Sequence, residues 1–334
     1  MKWPGTQVMR ESIATSRMKP VPWIPPAGHE HAKPGMQTRD LPQWRAAEQV
    51  DTGAFAWRLP GLEQLDGERL VVTIDRNMSY PSACSSVPVA PNTIKAVTLT
   101  ENPKTAGLAG IARIIVPEWP RTDLPHPLGR NAVPGETLVI PTGSLEELWA
   151  LHEAGLISEP QVTGAFLGRR NTSLFEPFYK TVTAARAEHA SDPAMTLAIK
   201  RSSSIAVRLL YPKQVSSRWW RPDWYGALVG QAMIRHWIRA RQAVDAGAEL
   251  VGLGSVDEAA YLVPADVDPA AWVPAPYKAG TGPGQVKRKR ITVRVNADGL
   301  DAVDPAAMHP SPRGDDWTEL EGPVPLKIWR QRRG

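Results

Sequence analysis

Residues 70–84, LVVTIDRNMSYPSAC, constrain this chain more than any other segment. Val71, Val72, Thr73 and Ile74 form an apolar, β-branched run that reads as a buried strand, opened by the charged turn Asp66-Gly67-Glu68-Arg69. The strand ends on one acid, Asp75. A carboxylate at the end of a buried strand is costly to desolvate unless it is paired or holds a metal ion. Pro81 pushes the residue before it out of helical geometry, so the chain is expected to turn there. The segment thus delivers an acid, a short stretch of unpaired backbone and an aromatic ring, Tyr80, to one place. A strand closed by an Asx-type turn, with Tyr80 packed on the core, would account for the same residues.

The rest of the composition narrows the class without choosing within it. A chain of 334 residues has room for one large domain or two modest ones, and 42% hydrophobic against 22% charged residues describes a folded protein. No apolar run approaches the ~20 residues that a membrane span requires. The opening MKWPGTQVMRES has no apolar core of a secretory signal. A single cysteine, Cys84, excludes an internal disulfide and a cysteine-cluster zinc site. A cytoplasmic protein with no membrane partner is therefore expected. The net charge of +5 permits a polyanionic partner without demanding one.

Proline and glycine punctuate the chain into three parts. Residues 1–60 read as a Pro-rich arm with one short helix near Leu41–Val50, and its His29 and His31 lack companions at ligand spacing. Residues 61–264 read as the core. Strands are expected at Lys95–Leu99, Ile111–Val116, Glu136–Pro141 and Val162–Leu167, and a helix from Ser144 to Ala154 with a capping-box start and Gly155 at its end. Further helices are expected at Leu174–His189, at Ala194–Leu210 after Asp192-Pro193, and over 223–246, stopped by Gly247. Two apolar stretches at 249–253 and 258–263 then flank Gly254-Ser255-Val256-Asp257-Glu258, a hairpin with Asp257 in its turn. Residues 265–334 read as a Pro/Gly-rich basic appendage with one strand-like piece at Ile291–Val295.

The segment Asp75-Arg76-Asn77-Met78-Ser79-Tyr80-Pro81-Ser82 resembles motif A of the family-B DNA polymerases, D-x-x-S-L-Y-P-S, with Asp, Tyr, Pro and Ser in register. The hairpin around Asp257 stands where that family has motif C, Y-x-D-T-D-S, whose second Asp is catalytic. Here Leu253 replaces the Tyr, Ser255 the first Asp, Val256 the Thr and Glu258 the last Ser, so only the catalytic acid is kept. Between the two acids the family places a helical fingers insertion, matched here by about 172–212. Lys200 takes the lysine of its K-x-x-x-N-S-x-Y-G motif, with Ser204 and Val207 in place of Asn and Tyr. Upstream, Pro141-Thr142-Gly143, Glu147-Leu148 and Gly155-Leu156-Ile157 follow in the family's order. The resemblance covers roughly residues 68–264 and is nearest to the protein-primed branch.

The resemblance implies an α+β fold: a polymerase-type palm whose antiparallel sheet carries two acidic residues, plus the fingers helices, with Pro-rich arms at both ends. It implies a minimal nucleotidyltransferase that adds dNTPs by a two-metal mechanism. Asp75 and Asp257 would bind Mg²⁺ or Mn²⁺, a hard cation for which oxygen ligands and substrate phosphates suffice; paired ions about 3.5–4 Å apart can serve both attacking and leaving oxygens. Lys200, Arg186 and Lys180 would hold the triphosphate, with Arg76 also counted among the substrate-binding residues. Tyr80 would lie under the sugar and favour dNTPs. Apart from the resemblance, each Asp could simply cap a turn, and the cations could be solvated faces of a helical hairpin.

An exonuclease domain and a full thumb are not expected within these residues. The densest basic patch, Lys287-Arg288-Lys289-Arg290, could follow a phosphate backbone in place of a thumb, and Trp329–Arg333 could add a contact. The implied partners are DNA, as primer-template or single strand, a dNTP, and a separate replication protein supplying a thumb or a primer. The other reading is a palm that has lost catalysis and serves as a DNA-binding or scaffold protein in replication of a mobile element or plasmid. A third is an unrelated α+β protein.

Overall fold

A computed structural model describes residues 42–61, 69–91, 93–97, 107–211 and 220–294. His29, His31, the turn at Asp66–Glu68, most of the two expected arms and Trp329–Arg333 lie outside the described residues. Within them the chain is α+β, with two antiparallel sheets and six helices. The helices are α1 (Pro42–Glu48), α2 (Ser79–Cys84), α3 (Thr142–Glu153), α4 (Glu176–Glu188), α5 (Pro193–Arg208) and α6 (Pro222–Asp245). The strands are β1 (Phe55–Arg58), β2 (Arg69–Arg76), β3 (Lys95–Val97), β4 (Gly110–Ile115), β5 (Thr137–Pro141), β6 (Gln161–Leu167), β7 (Leu250–Ser255), β8 (Glu258–Leu262) and β9 (Val286–Arg294). They form two compact units: one holds Tyr80–Pro120, His126–Ile234 and the described residues up to Gly53; the other holds Ala54–Ser79, Arg121–Pro125 and the residues from Arg235 onward.

The second unit is built on a five-stranded sheet in the order β1-β7-β8-β2-β9. β2 is the strand expected from the apolar run, and Val71, Val72 and Ile74 are all buried. It is flanked on both sides, by β8 and by β9, so its backbone groups are consumed in two ladders. β7 and β8 form the expected hairpin, closed by Val256-Asp257. The outer strands come from segments that read as arm and appendage. β1 lies inside residues 1–60 and pairs with β7 from Phe55↔Ser255 to Arg58↔Gly252. β9 starts at Val286, five residues before the strand-like piece read from Ile291.

The first unit carries the four-stranded sheet β3-β6-β4-β5. Ile111, Ile114 and Ile140 are buried from its strands, and Trp44, Val50, Ile94, Val139 and Trp220 join Ile111 in one cluster. A buried charge organises this unit. The Arg221 guanidinium makes a forked pair with Asp223 (2.8 and 2.7 Å), donates to the Ala90 carbonyl and stacks 3.7 Å from the Trp224 ring centroid. Its donors are thereby met inside the protein, which a buried guanidinium requires. α4 and α5 pack against each other as the expected helical pair. Asp192 caps α5, accepting from the Met195 N–H at 3.0 Å.

Helix ends follow the glycines. Gly155 and Gly247 have φ of 72° and 93°, and in each case the residue after the glycine donates back to the last turn: Leu156 N–H to Leu151 O and Ala248 N–H to Ala243 O, both 2.9 Å. Two expectations are corrected. α3 begins at Thr142 after Pro141, not at Ser144, and has no side-chain cap: Thr142 Oγ1 instead accepts from the Gly110 N–H, and Ser144 is buried. Pro81 does not break the chain into a turn. Ser79–Cys84 is a helix, because a proline in the first turn lacks only an N–H that has no partner there. The reversal occurs earlier, at Met78, whose φ is 56°.

Ser255, at the tip of the hairpin, has φ of 54° and an exposed side chain. A branched residue in this left-handed conformation costs roughly 1–2 kcal/mol, whereas glycine is free of that penalty. Ser255→Val is therefore expected to lower unfolding stability by about 1–2 kcal/mol and Ser255→Gly to spare it, read from urea midpoints of the full chain.

Candidate active site

The strand register of the second unit places the sequence-derived acids at one end of its sheet. β2 and β8 run antiparallel with Asp75 directly opposite Glu258, and the next rung is an Arg76 N–H to Asp257 O bond of 2.8 Å. Asp75 and Asp257 are thus carried on neighbouring backbone segments locked by one hydrogen bond. Asn77 fixes the turn that follows. It is buried, its N–H donates to Gln285 O, its Nδ2 donates to Gly280 O (2.7 Å), and its carbonyl accepts from the Gly284 N–H. The loop leading into β9 is therefore pinned to the same place.

β9 brings cations to these acids. Lys287 is opposite Asp75, with its Nζ 3.6 Å from Asp75 Oδ2, and the Lys289 Nζ lies 2.6 Å from Glu258 Oε2. Burial disfavours the Lys289 ammonium, but Glu258, followed by Asp75 and Asp257, outweighs it and holds the lysine above its ordinary pKa. All three carboxylates thus act on one ammonium group. The basic run read as a DNA-backbone contact is divided by this arrangement. Lys287 and Lys289 are ion-paired at the acids, and Arg288 is opposite the buried Ile74.

Arg76 is next to Asp75 in β2, so its side chain leaves by the other face of the sheet. It is only 8% exposed. Its pKa is lowered to about 10, first by burial and then by Arg235, with Tyr277 and Asp257 acting in the opposite direction. It is an internal charge behind the acid turn. Tyr277 is itself buried, its hydroxyl 3.2 Å from that of Tyr261. His236, on α6, completes this layer: its ring nitrogen Nε2 is 2.9 Å from Glu258 O. A carbonyl only accepts, so Nε2 carries the proton and Nδ1, which has no hydrogen-bond partner among the described residues, is the bare nitrogen. Sequence reading missed His236, since a single histidine in the middle of a long helix carries no distinguishing signal.

The remaining candidates belong to the first unit. Tyr80 is half-buried on α2. Lys180, on α4, is exposed and paired with Glu176 at 2.7 Å, one helical turn away. Arg186 lies in the last turn of α4, and Lys200 is an exposed residue of α5 whose carbonyl accepts from the Ser203 and Ser204 hydroxyls. Cys84 is buried. Among the described residues no group of three or more His, Cys, Asp and Glu is arranged to hold a metal ion, and no helix is long and apolar enough to cross a membrane.

The fold is shared with Phi29 DNA polymerase. Its complex with primer-template DNA (post-translocation binary complex) superposes with a TM-score of 0.58 at 11% identity, covering 88% of this chain and 52% of that one. The ternary complex with primer-template DNA and incoming nucleotide substrates gives 0.57 at 12% identity over 86% and 52%, and the orthorhombic crystal form 0.55 at 11% over 86% and 52%. This chain spans about half the length of the solved structures that it matches. No protein-family model matches the chain, and no curated protein matches it in sequence. The resemblance read from Asp75 to Ser82 therefore holds at the level of fold.

The buried histidines set an acid limit on stability. Complete burial lowers the His236 pKa from 6.5 to about 4, with Glu258 O and Arg76 as smaller influences. Burial likewise lowers His126 to about 4, its Nδ1 accepting from the Leu128 N–H. A depressed folded pKa means that the unfolded chain binds the proton first. Stability is therefore whole above about pH 6.5 and is lost as the pH falls towards 4, by up to about 3 kcal/mol for each histidine. His236→Gln, which keeps a donor for Glu258 O, is expected to remove about half of that slope in urea unfolding between pH 7 and pH 4.5.

Proposed function

We propose that this chain is a polymerase-type nucleotidyltransferase that adds dNTPs to the end of a DNA strand, with Asp75 and Asp257 as its metal-holding carboxylates. The observation that carries the reading is the Arg76 N–H to Asp257 O bond beside the Asp75–Glu258 pair. It ties the residue after Asp75 to the hairpin turn that carries Asp257, on a fold shared with Phi29 DNA polymerase, solved in complexes with primer-template DNA and incoming nucleotides.

The donor set fits the ion. Both side chains offer only carboxylate oxygens, the ligands a hard Mg²⁺ or Mn²⁺ prefers, and substrate phosphates would complete the shell. When bound, such ions activate a 3′-hydroxyl and stabilise the leaving pyrophosphate. The chain's own contribution is positional. β2 and the β7–β8 hairpin fix the carboxylates, Asn77 and His236 hold the backbone on either side of them, and Arg76 adds buried positive charge behind Asp257. Lys200, Arg186 and Lys180 are assigned to the triphosphate, and Tyr80 to the sugar, on the family resemblance. Arg288 and Arg290, with the flanking lysines, are assigned to the DNA backbone. A separate protein supplying a thumb or a primer belongs to the same reading.

One observation favours a second reading. Lys287 and Lys289 already neutralise Asp75 and Glu258, and Ser255 stands where the family's hairpin has its first Asp. A sheet end compensated in this way suits a palm that binds DNA as a scaffold without catalysing transfer.

Primer extension separates the two. Purified full chain with primed template, labelled dNTPs and Mg²⁺ or Mn²⁺ is expected to incorporate nucleotide, and Asp75→Ala and Asp257→Ala are each expected to reduce incorporation at least about a hundredfold. Incorporation that survives either substitution refutes the assignment of the acids. DNA shifted in a gel with no incorporation by the unaltered chain establishes the scaffold reading.

A further inference from the structure

An irregularity in β9 decides which of its later side chains share the face of the acids. Opposite β2, Lys287 pairs with Asp75 and Arg288 with Ile74, but Thr73 pairs with Arg290, so Lys289 is an extra residue bulged out of the ladder. In an unbroken ladder Arg290 would oppose Val72, on the buried face, and Ile291 would oppose Val71, on the face of Asp75. The bulge reverses this. Ile291 pairs with Val72 and is 5% exposed, while Arg290 comes onto the face shared by Thr73 and Asp75. One inserted residue therefore buries the isoleucine and brings Arg290 onto the face that Lys287 already shares with Asp75.

An ammonium group and a divalent ion compete for the same thing, the lone pairs of carboxylate oxygens. They also repel each other: two cations about 4 Å apart oppose one another by several kcal/mol at the effective dielectric of a protein surface. The Lys289 ammonium is in hydrogen-bond contact with Glu258, and that of Lys287 is within ion-pair distance of Asp75. Resting on the reading of Asp75 and Asp257 as metal ligands, we propose that Lys287 and Lys289 are resident counter-cations of this carboxylate group, and that a divalent ion binds only by displacing them. The displaced ammonium groups are then free for phosphate oxygens of a nucleic acid or nucleotide, so metal and polyanion reinforce each other's binding.

Both lysines are partly exposed, with side-chain exposures of 35% and 37%, so a methionine of similar length keeps the stem and removes the charge. Mn²⁺ binding to the full chain, followed by the electron paramagnetic resonance of free Mn²⁺, is the direct test. Lys289→Met and Lys287→Met are expected to tighten Mn²⁺ affinity, the first by at least about tenfold, and Lys289→Arg to leave it near that of the unaltered chain. Asp75→Asn is expected to abolish it. A thermal melt without metal gives a second readout: Lys289→Met should melt lower than the unaltered chain and should gain more from added Mn²⁺. If the unaltered chain binds Mn²⁺ and the methionine variants bind it equally or more weakly, the competition is refuted and the metal reading stands. If no variant binds Mn²⁺, both fall together.

Discussion

Everything at the candidate site depends on one backbone registration, that of β2 against β8. With Asp75 opposite Glu258, the Arg76 N–H meets the Asp257 carbonyl, and the two acids stand at the same end of the sheet. A slip of one residue would turn Asp75 to the face occupied by Val72 and Ile74, which are fully buried, and would strand an unpaired carboxylate there. The register is held by packing rather than by the acids. Val72, Ile74 and Tyr261 bury nearly all of their surface, and each such side chain contributes of the order of 1.5–3 kcal/mol. The polar end of the sheet is thus positioned by its apolar middle.

That dependence explains which parts of the fold were legible. β2, the β7–β8 hairpin and α6 carry strong local signals: a β-branched run, a Gly-containing turn between apolar stretches, and a helical period ended by Gly247. Their local preferences and their tertiary roles agree. β1 and β9 are different. Phe-Ala-Trp-Arg in β1 is too short to show alternation, and β9 joins the sheet through a basic run that reads as a DNA-backbone contact. Such strands are selected by a partner's open edge, which single-chain patterning does not reveal. The helix at Ser79–Cys84 was missed for a related reason. Proline disfavours a helix only where an N–H is needed, and the first turn needs none.

The same distinction separates the site residues. Asp75 and Asp257 were visible because each closes an apolar segment, so their position followed from the strand. The roles of Lys287 and Lys289 depend on how β9 pairs with β2, and a pairing register belongs to two strands rather than to either one. His236 is hidden more completely still. It is wholly buried in the middle of α6, its ring against that of Phe55, and its hydrogen bond to the Glu258 carbonyl gives it a task. Residues of this type are defined by what folds against them.

Charge compensation is where the fold and the proposed chemistry meet. A sheet end bearing Asp75, Asp257 and Glu258 concentrates negative charge, and like charges brought together destabilise a fold. In the chain without metal that repulsion is relieved by Lys287 and Lys289. An enzyme that relied on its metal for this purpose would be unstable without it; a palm that had given up its metal would keep only the lysines. This chain retains both the acids and their internal counter-cations on one strand end, joined by ion pairs that are partly exposed and so modest in strength. Weak ion pairs at a site of high charge density can be exchanged for a stronger cation at small cost. Under the proposed reading the acids stay compensated in the absence of substrate and are open to a divalent ion when a triphosphate arrives to share it.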